Sequence, residues 1–420
     1  MTQGPTADVT VLGAGIVGAC CALSLIEAGL SVEIVDRDPP GEGASHGNAG
    51  VISPWSCVPQ SVPGLWRQVP GMLLSPDGPV RMRPSGLPGM TSWALKFFAQ
   101  ARPARMQANA DAMAFLIRDA IDTYRRQLKG TGGDGLLIDS WYVNVFRGAP
   151  PDMDGPAYAL RRAHGAPVKL VDAPTLREIE PAVSPDCAGA VVIRGQARAA
   201  SPGALTKALV EEALRRGARF VRTEVRGLDA EARTLATKAG PRPFAKLVLA
   251  GGFGSAALLK AVGYDVAMRA ERGYHVEFDG PEVTLTHSVM DIDGKFVASS
   301  MGDSLRSAGT SEFAAPDAPP DRKRTDLLVR QTRRLLPGLA AAPARTWMGV
   351  RPSFPDSLPA IGPIEGLPGV TAAFGHSHYG MSMAPGTGGL VAQIVAGRAL
   401  NEDVSAFDPA RWMSGRRRAA

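Results

Sequence analysis

One short stretch near the start constrains the chain more than any other. Asp8–Leu12 has the apolar run of a buried strand, Gly13-Ala14-Gly15-Ile16-Val17-Gly18 follows it, and the residues from about Ile16 to Glu27 form an apolar run of helical length. Gly29 is placed to cap that helix, and Ser31–Val35 reads as a second strand ending in Asp36. Strand, glycine turn, helix and strand make a βαβ unit. In that context Gly13 permits the tight turn, Gly15 lets a pyrophosphate approach the backbone, and Gly18 lets the helix pack on the sheet. The amides at the helix start then face the phosphates, with the helix dipole in the favourable sense. Asp36 is placed to accept hydrogen bonds from ribose hydroxyls, and its charge would repel a 2′-phosphate even with Arg37 beside it. The unit predicts a dinucleotide cofactor, disfavours NADP, and does not separate FAD from NAD.

The remaining sequence predicts a second domain. A length of 420 residues suggests two or three domains, and a hydrophobic content of 45% is enough for a large core. From Pro39 to about Pro88 the density of Pro, Gly and Ser reads mostly as loop, and helical patterns return near Thr91–Ala101 and Ala108–Leu128. Ser201-Pro202 opens a helix that runs to about Arg216, and strands follow at Arg219–Val225 and Lys246–Ala250. Tyr264–Ser311 is strand-rich, a helix spans about Asp321–Leu336, and a strand at Val370–Phe374 precedes a last helix over about Gly386–Ala396. The net charge of +6 comes mostly from dispersed Arg, with no basic run interleaved with aromatics, which argues against nucleic-acid binding. Cys20, Cys21, Cys57 and Cys187 show no CxxC or Cys/His metal spacing, so no metal site is expected and reduced cysteines in a cytoplasmic protein are. No targeting segment is visible, and no uncharged apolar stretch has the roughly 18 residues that a membrane span needs.

Later segments carry a resemblance. Ala44-Ser45-His46-Gly47-Asn48-Ala49-Gly50 resembles the segment after the first βαβ unit in the superfamily of D-amino-acid oxidases, glycine oxidases and D-amino-acid dehydrogenases. Lys246–Ser255, Glu271-Arg-Gly-Tyr-His275, Trp347-Met-Gly-Val-Arg-Pro352, Pro355-Asp356 and Gly375-His-Ser-His-Tyr-Gly380 are similar to later motifs of that superfamily, in the same order. Asn48-Ala49-Gly50-Val51-Ile52-Ser53-Pro54 looks most like bacterial D-amino-acid dehydrogenases. The resemblance implies an α/β fold: a discontinuous Rossmann-like FAD-binding domain with an inserted α+β substrate domain on a mostly antiparallel sheet. The expected FAD-binding segments are 1–56, 150–260 and 340–410, the substrate segments 57–149 and 261–339, and 411–420 a basic tail.

It also implies site residues. Ile16 and Val17 should touch the pyrophosphate region, Asp36 and Arg37 the adenosine side, and Ser45 a phosphate. Ala44 and Asn48 belong to the same loop, and Ala49, Gly50 and Val51 should lie along the flavin. Val225 should meet the adenine through its backbone, Ala250, Gly251 and Gly254 form the later glycine turn, and His376, Gly380, Met381 and Ser382 should line the isoalloxazine. His46 is not in register with the covalent histidine of dimethylglycine dehydrogenases, so noncovalent FAD is expected. Small residues at Pro385, Gly386, Gly388 and Gly389 suggest a helix start facing the pyrimidine end of the flavin, where negative charge collects on reduction.

For the substrate, Arg351 in Gly349-Val-Arg-Pro352 is singled out, because in related oxidases this Arg pairs with the substrate carboxylate and its fork offers two parallel bonds. Tyr274 could bond the same carboxylate or simply pack; His378, where glycine oxidases carry Arg, and Tyr379 complete the candidates. The expected reaction is oxidation of the C–N bond of a D-amino acid or cyclic imino acid, with an N-methyl or other secondary amine as the alternative and a non-catalytic flavin-binding module as a reading from another class. The electron acceptor stays open between quinone, oxygen and a protein. Val58–Phe98 adds Trp66, Met72, Leu73, Leu74, Leu87, Met90, Trp93, Phe97 and Phe98 with few charges, among them Arg67, Arg81 and Arg83. That stretch either packs over the active site or a partner subunit, or dips into the inner face of a membrane and so reaches quinone.

Overall fold

The computed structural model describes residues 7–75 and 77–415. At its centre β1 (Val9–Leu12) lies between two parallel neighbours, β2 (Val32–Asp36) and the strand Lys246–Leu249. Arg219–Arg222 extends the sheet beyond β2, and Val370–Phe374 followed by the antiparallel Ala360–Pro363 extends it on the other side. Such a sheet is covered on both faces, so its central strands are mostly apolar. Val9, Val11, Ile34 and Val248 face one cluster with α1 (Ile16–Glu27), and Leu12, Val35, Leu247 and Leu249 face a second. The expected Rossmann-like unit is therefore present, assembled from segments far apart in sequence.

The last long helix, α3 (Gly380–Val395), starts about six residues before the expected position. Pro385 hid the start, since a proline inside a helix removes one amide. The carbonyl this leaves, that of Met381, accepts the Tyr124 hydroxyl at 2.7 Å instead. Gly386 and Gly388 are then not a helix start but contact points. A Cβ on Gly386 would collide with the Leu116 backbone, and one on Gly388 would lie 2.6 Å from the Cys20 carbonyl oxygen. The small residues let α3 lie against α1 and the helix Pro103–Ile117 at close range.

A ten-stranded, mostly antiparallel sheet forms the other half, as expected for the substrate domain. Its functional edge consists of β3 (Arg269–Asp279), flanked by β4 (Ser304–Phe313) and β5 (Arg345–Ser353). Four strands fall across the expected domain divide: Val51–Ile52, Val168–Asp172, Gly189–Ala199 and β5 lie in this sheet rather than with the βαβ segments. The stretch expected as loop before residue 88 contains α2 (Leu65–Leu74) and the strand Val80–Met82. No residue of α2 is buried, so water can serve the carbonyl freed by its internal Pro70. The helix expected over 108–128 is two, Pro103–Ile117 and Ala120–Leu128. Residues 411–415 are not a free tail: Arg411 and Trp412 both bond Asp356, and Met413–Gly415 pairs with Tyr264–Val266. The Arg416–Arg418 cluster lies outside the described residues.

Candidate active site

The three fingerprint glycines differ in the space beside them. A Cβ on Gly13 would strike the Ala250 carbonyl and one on Gly18 that of Gly13, so the fold itself closes both positions. A Cβ on Gly15 would meet nothing nearer than the Ser45 hydroxyl, at 3.4 Å. Gly15 therefore borders open space, and α1 starts there with no cap from its own N-terminal residue and no acidic residue in its first turn. Ser45 Oγ takes the Ile16 amide at 3.0 Å. A positive helix end with no acidic residue in its first turn, beside a glycine-lined opening, fits the phosphates of a dinucleotide. Asp36 braces the turn, its Oδ2 accepting the Ala14 amide at 2.7 Å and its Oδ1 the Asp38 amide at 3.1 Å. Ala250 and Gly251 close the turn from the neighbouring strand, and Gly254 begins the helix Gly254–Ala261. α3 offers a second start without a side-chain cap, at Gly380, and Ser382 Oγ accepts the Ser53 amide at 3.0 Å.

The other end of the site is a ladder of side chains on β3 and β5. Register pairs Glu271 with Arg351, Gly273 with Gly349, His275 with Trp347 and Glu277 with Arg345. Because strand side chains alternate, these four pairs share one face. The Gly–Gly pair makes room: a Cβ on Gly273 would collide with the Arg351 guanidinium, and one on Gly349 with the Trp347 ring. Arg351 thus lies flat across β3, with Nη1 3.5 Å from Glu271 Oε1 and 3.3 Å from the Thr310 carbonyl oxygen. Its Nε and Nη2 have no hydrogen-bond partner among the described residues. Thr310 is the extra residue of a bulge, left between the Ser311–Gly273 and Gly309–Tyr274 pairs with φ of 58°. A bulge of this kind re-aims the local backbone, here bringing a carbonyl to Arg351.

Glu271 is buried beneath this cation. It also accepts from Ser353 Oγ at 2.8 Å and Ser311 Oγ, and His378 Nε2 lies 3.0 Å from its Oε1. Burial alone would push its carboxyl up, but His378, Arg351 and Ser311 together hold it far below the usual carboxylate range. The Gln60 side-chain amide bonds His378 Nδ1, and the Tyr379 hydroxyl donates to the Val58 carbonyl at 2.8 Å. Val58 and Gln60 therefore wall the site from the segment before α2.

A family model described as FAD dependent oxidoreductase matches residues 8–394. The chain belongs to that family. The cofactor is FAD, and the opening beside Gly15 fits its pyrophosphate. The chain is 33% identical to a D-amino-acid oxidase of Bradyrhizobium diazoefficiens, over 96% of this chain and 99% of the relative. It is 30% identical to a D-amino acid dehydrogenase 2 of Ralstonia nicotianae, over 93% and 97% respectively. Among solved structures it superposes on glycine oxidase from Geobacillus kaustophilus with a TM-score of 0.73 at 24% identity, covering 96% of this chain and 98% of that one. L-proline dehydrogenase from P. horikoshii gives a TM-score of 0.75 at 18% identity, covering 97% and 98%.

Within this oxidoreductase the expected site residues separate into two groups. Gly13, Gly15, Gly18, Asp36, Ser45, Ala250 and Gly251 converge on the fingerprint, and Arg351, His378 and Tyr379 share the far end. Tyr274 does not join them: it points to the opposite face of the sheet, donating to Glu312 at 2.6 Å and accepting the Asp321 amide at 3.0 Å. His376 is buried and bonds Thr387 at 2.9 Å, with burial pushing its ring down to about 3. Arg37 pairs with Asp38 in solvent, Ala44 is exposed, and Val225 packs in the second cluster of the βαβ sheet. Sequence reasoning missed Glu271 as a site residue, together with Gln60 and the Thr310 bulge. Period-two reading of Glu271-Arg-Gly-Tyr-His275 would have found Glu271, since it places Glu271, Gly273 and His275 opposite Arg272 and Tyr274.

Proposed function

We propose that this enzyme oxidises the C–N bond of an amino acid, a D-amino acid or cyclic imino acid, to the imino acid. The observation that carries the reading is Arg351: two guanidinium nitrogens without partners among the described residues, on a half-buried cation held by the buried Glu271 and the bulged Thr310 carbonyl. A planar fork with free donors suits one carboxylate, which it can bind through two parallel hydrogen bonds. Bound FAD supplies the two-electron acceptor for hydride from the α-carbon. The chain's part is to fix the carboxylate at Arg351 and hold Arg351 and His378 on one buried anion. The substrate amine enters uncharged, loses hydride from its α-carbon, and leaves as an iminium that water hydrolyses. The Tyr379 hydroxyl is engaged with Val58, and burial raises it well above its ordinary range, so no side chain is assigned as base. The two D-amino-acid relatives support this choice over a sarcosine-like secondary amine or a flavin module without activity.

Replacing Arg351 with Lys tests it, because Lys keeps the charge and loses the fork. Loss of a charge-assisted bond should raise KM for a D-amino acid by about ten- to a hundredfold. FAD content should not change. Unaltered KM would move the carboxylate to another residue and remove the basis of the reading.

For the electron acceptor we infer a quinone reached at an anionic membrane surface. Trp66, Leu74, Leu87 and Leu95 are all exposed, within one stretch of the chain. Residues 58–98 hold Arg67, Arg81, Arg83 and Lys96 against the single acid Asp77, which pairs with Arg330 at 2.8 Å. Among the described residues no helix is long and apolar enough to cross a membrane, so contact would be peripheral.

A further inference from the structure

The loop that follows the βαβ unit presents three successive carbonyls to the large sheet. Arg306, on β4, donates through Nη1 to the carbonyls of His46 and Asn48, each at 2.7 Å. His275 Nδ1, on β3, lies 3.2 Å from the carbonyl of Gly47 between them, and a carbonyl only accepts, so Nδ1 carries the proton. Arg306 is buried, and the desolvation of its charge is offset by Glu277, which takes Nε at 2.7 Å and also bonds Nη2. Glu277 is held in turn by Arg345 Nε at 2.8 Å on its other oxygen. Trp347 stacks on His275 at 5.3 Å and covers Gly47 so closely that a Cβ there would collide with its ring.

This arrangement uses the acceptors of the loop and spares its donors. The His46 amide bonds the Gly43 carbonyl, the Asn48 amide the Ser45 carbonyl, and the Gly50 amide the Asn48 side chain at 2.8 Å. The amides of Gly47 and Ala49 have no partner among the described residues. A buried guanidinium whose Nη1 serves two loop carbonyls carries a desolvation cost that merely covering a loop does not require. It is explained if the loop must keep one orientation for a ligand rich in acceptors.

We propose that Arg306, oriented by Glu277 and assisted by His275, is a positioning residue for FAD. It pins residues 46–48 by their carbonyls and so keeps the Gly47 and Ala49 amides available to the acceptor edge of the flavin ring. Arg306 acts through the loop and does not itself touch substrate. The inference rests on the FAD site alone and does not depend on the substrate proposed above.

The test uses purified holoenzyme of the wild type, Arg306→Lys and Arg306→Met. FAD retention is measured by ultrafiltration at graded dilution, the bound flavin by its visible band and reduction potential, and the fold by melting in excess FAD. Arg306→Lys should weaken FAD retention by about tenfold, and Arg306→Met by about a hundredfold. The flavin still bound in Arg306→Lys should show a displaced visible band and potential while its melting stays within a few degrees of the wild type. An Arg306→Lys holoenzyme with wild-type retention, band and potential would overturn the proposal. So would FAD loss in Arg306→Met that follows a collapsed melt while the flavin bound to Arg306→Lys keeps its wild-type band and potential, for then the residue is only structural.

Discussion

Two buried histidines near the site carry a pH signature of their own. Burial, reinforced by the neighbouring Arg306 charge, pushes His275 down to about 4, and burial alone pushes His376 down to about 3, both from an ordinary value of 6.5. The folded chain therefore takes up these protons less readily than the unfolded chain does. Stability from each ring is full above about 6.5 and is lost as pH falls from there toward the depressed value. For His275 the loss between about pH 7 and about pH 5 comes to about 2 kcal/mol. Denaturant unfolding in excess FAD should show a flatter pH dependence in His275→Asn by about that amount. An identical slope in the two proteins would mean that His275 takes a proton as readily when folded as when unfolded.

At the level of elements, the glycines of α1 and α3 separate three roles that look alike in sequence. Gly15→Val should fold, since a Cβ there only reaches ordinary contact with Ser45, yet it should purify colourless because the side chain enters the phosphate space. Gly386→Val should cost about 3 kcal/mol by forcing α3 off the Leu116 backbone. Gly389→Ala meets nothing within 4 Å inside the same helix and should stabilise by about 0.5–1 kcal/mol. Melting temperatures of the three, with flavin absorbance, check all of these together. The contrast also shows what the sequence could disclose. The βαβ unit was readable because strand, turn and helix are contiguous, and its turn chemistry is local. The start of α3 was not, because Pro385 is a helix breaker by propensity and only Tyr124, more than two hundred residues away, relieves it. α2 was hidden in the same way by Pro70 and Gly71. Tyr274 failed as a site residue because the motif gives residue types, while the face of β3 is set by its pairing with β5.

On the scale of the whole molecule, the site is a seam. The cofactor fingerprint belongs to the six-stranded sheet, whereas Arg351 and Glu271 stand on the ten-stranded one, so the reaction centre proposed above would lie where the two meet. Segment 58–98 borders that seam through Val58 and Gln60 and turns Trp66, Leu74, Leu87 and Leu95 outward. If this outer surface meets anionic lipid, sedimentation with anionic vesicles should fall in Trp66→Ala and at high salt, and a soluble quinone analogue should outrun oxygen as acceptor. Rapid peroxide formation without vesicle binding would contradict the membrane reading and leave the chemistry at the seam intact. That chemistry is reached most directly by adding single amino acids to the yellow enzyme without oxygen and watching the visible flavin band. The band should bleach with one or more D-amino acids or cyclic imino acids, and more slowly in Arg351→Lys at equal substrate. A band that stays oxidised with every carboxylate-bearing amine, or that bleaches equally fast in the two proteins at subsaturating substrate, would contradict the account.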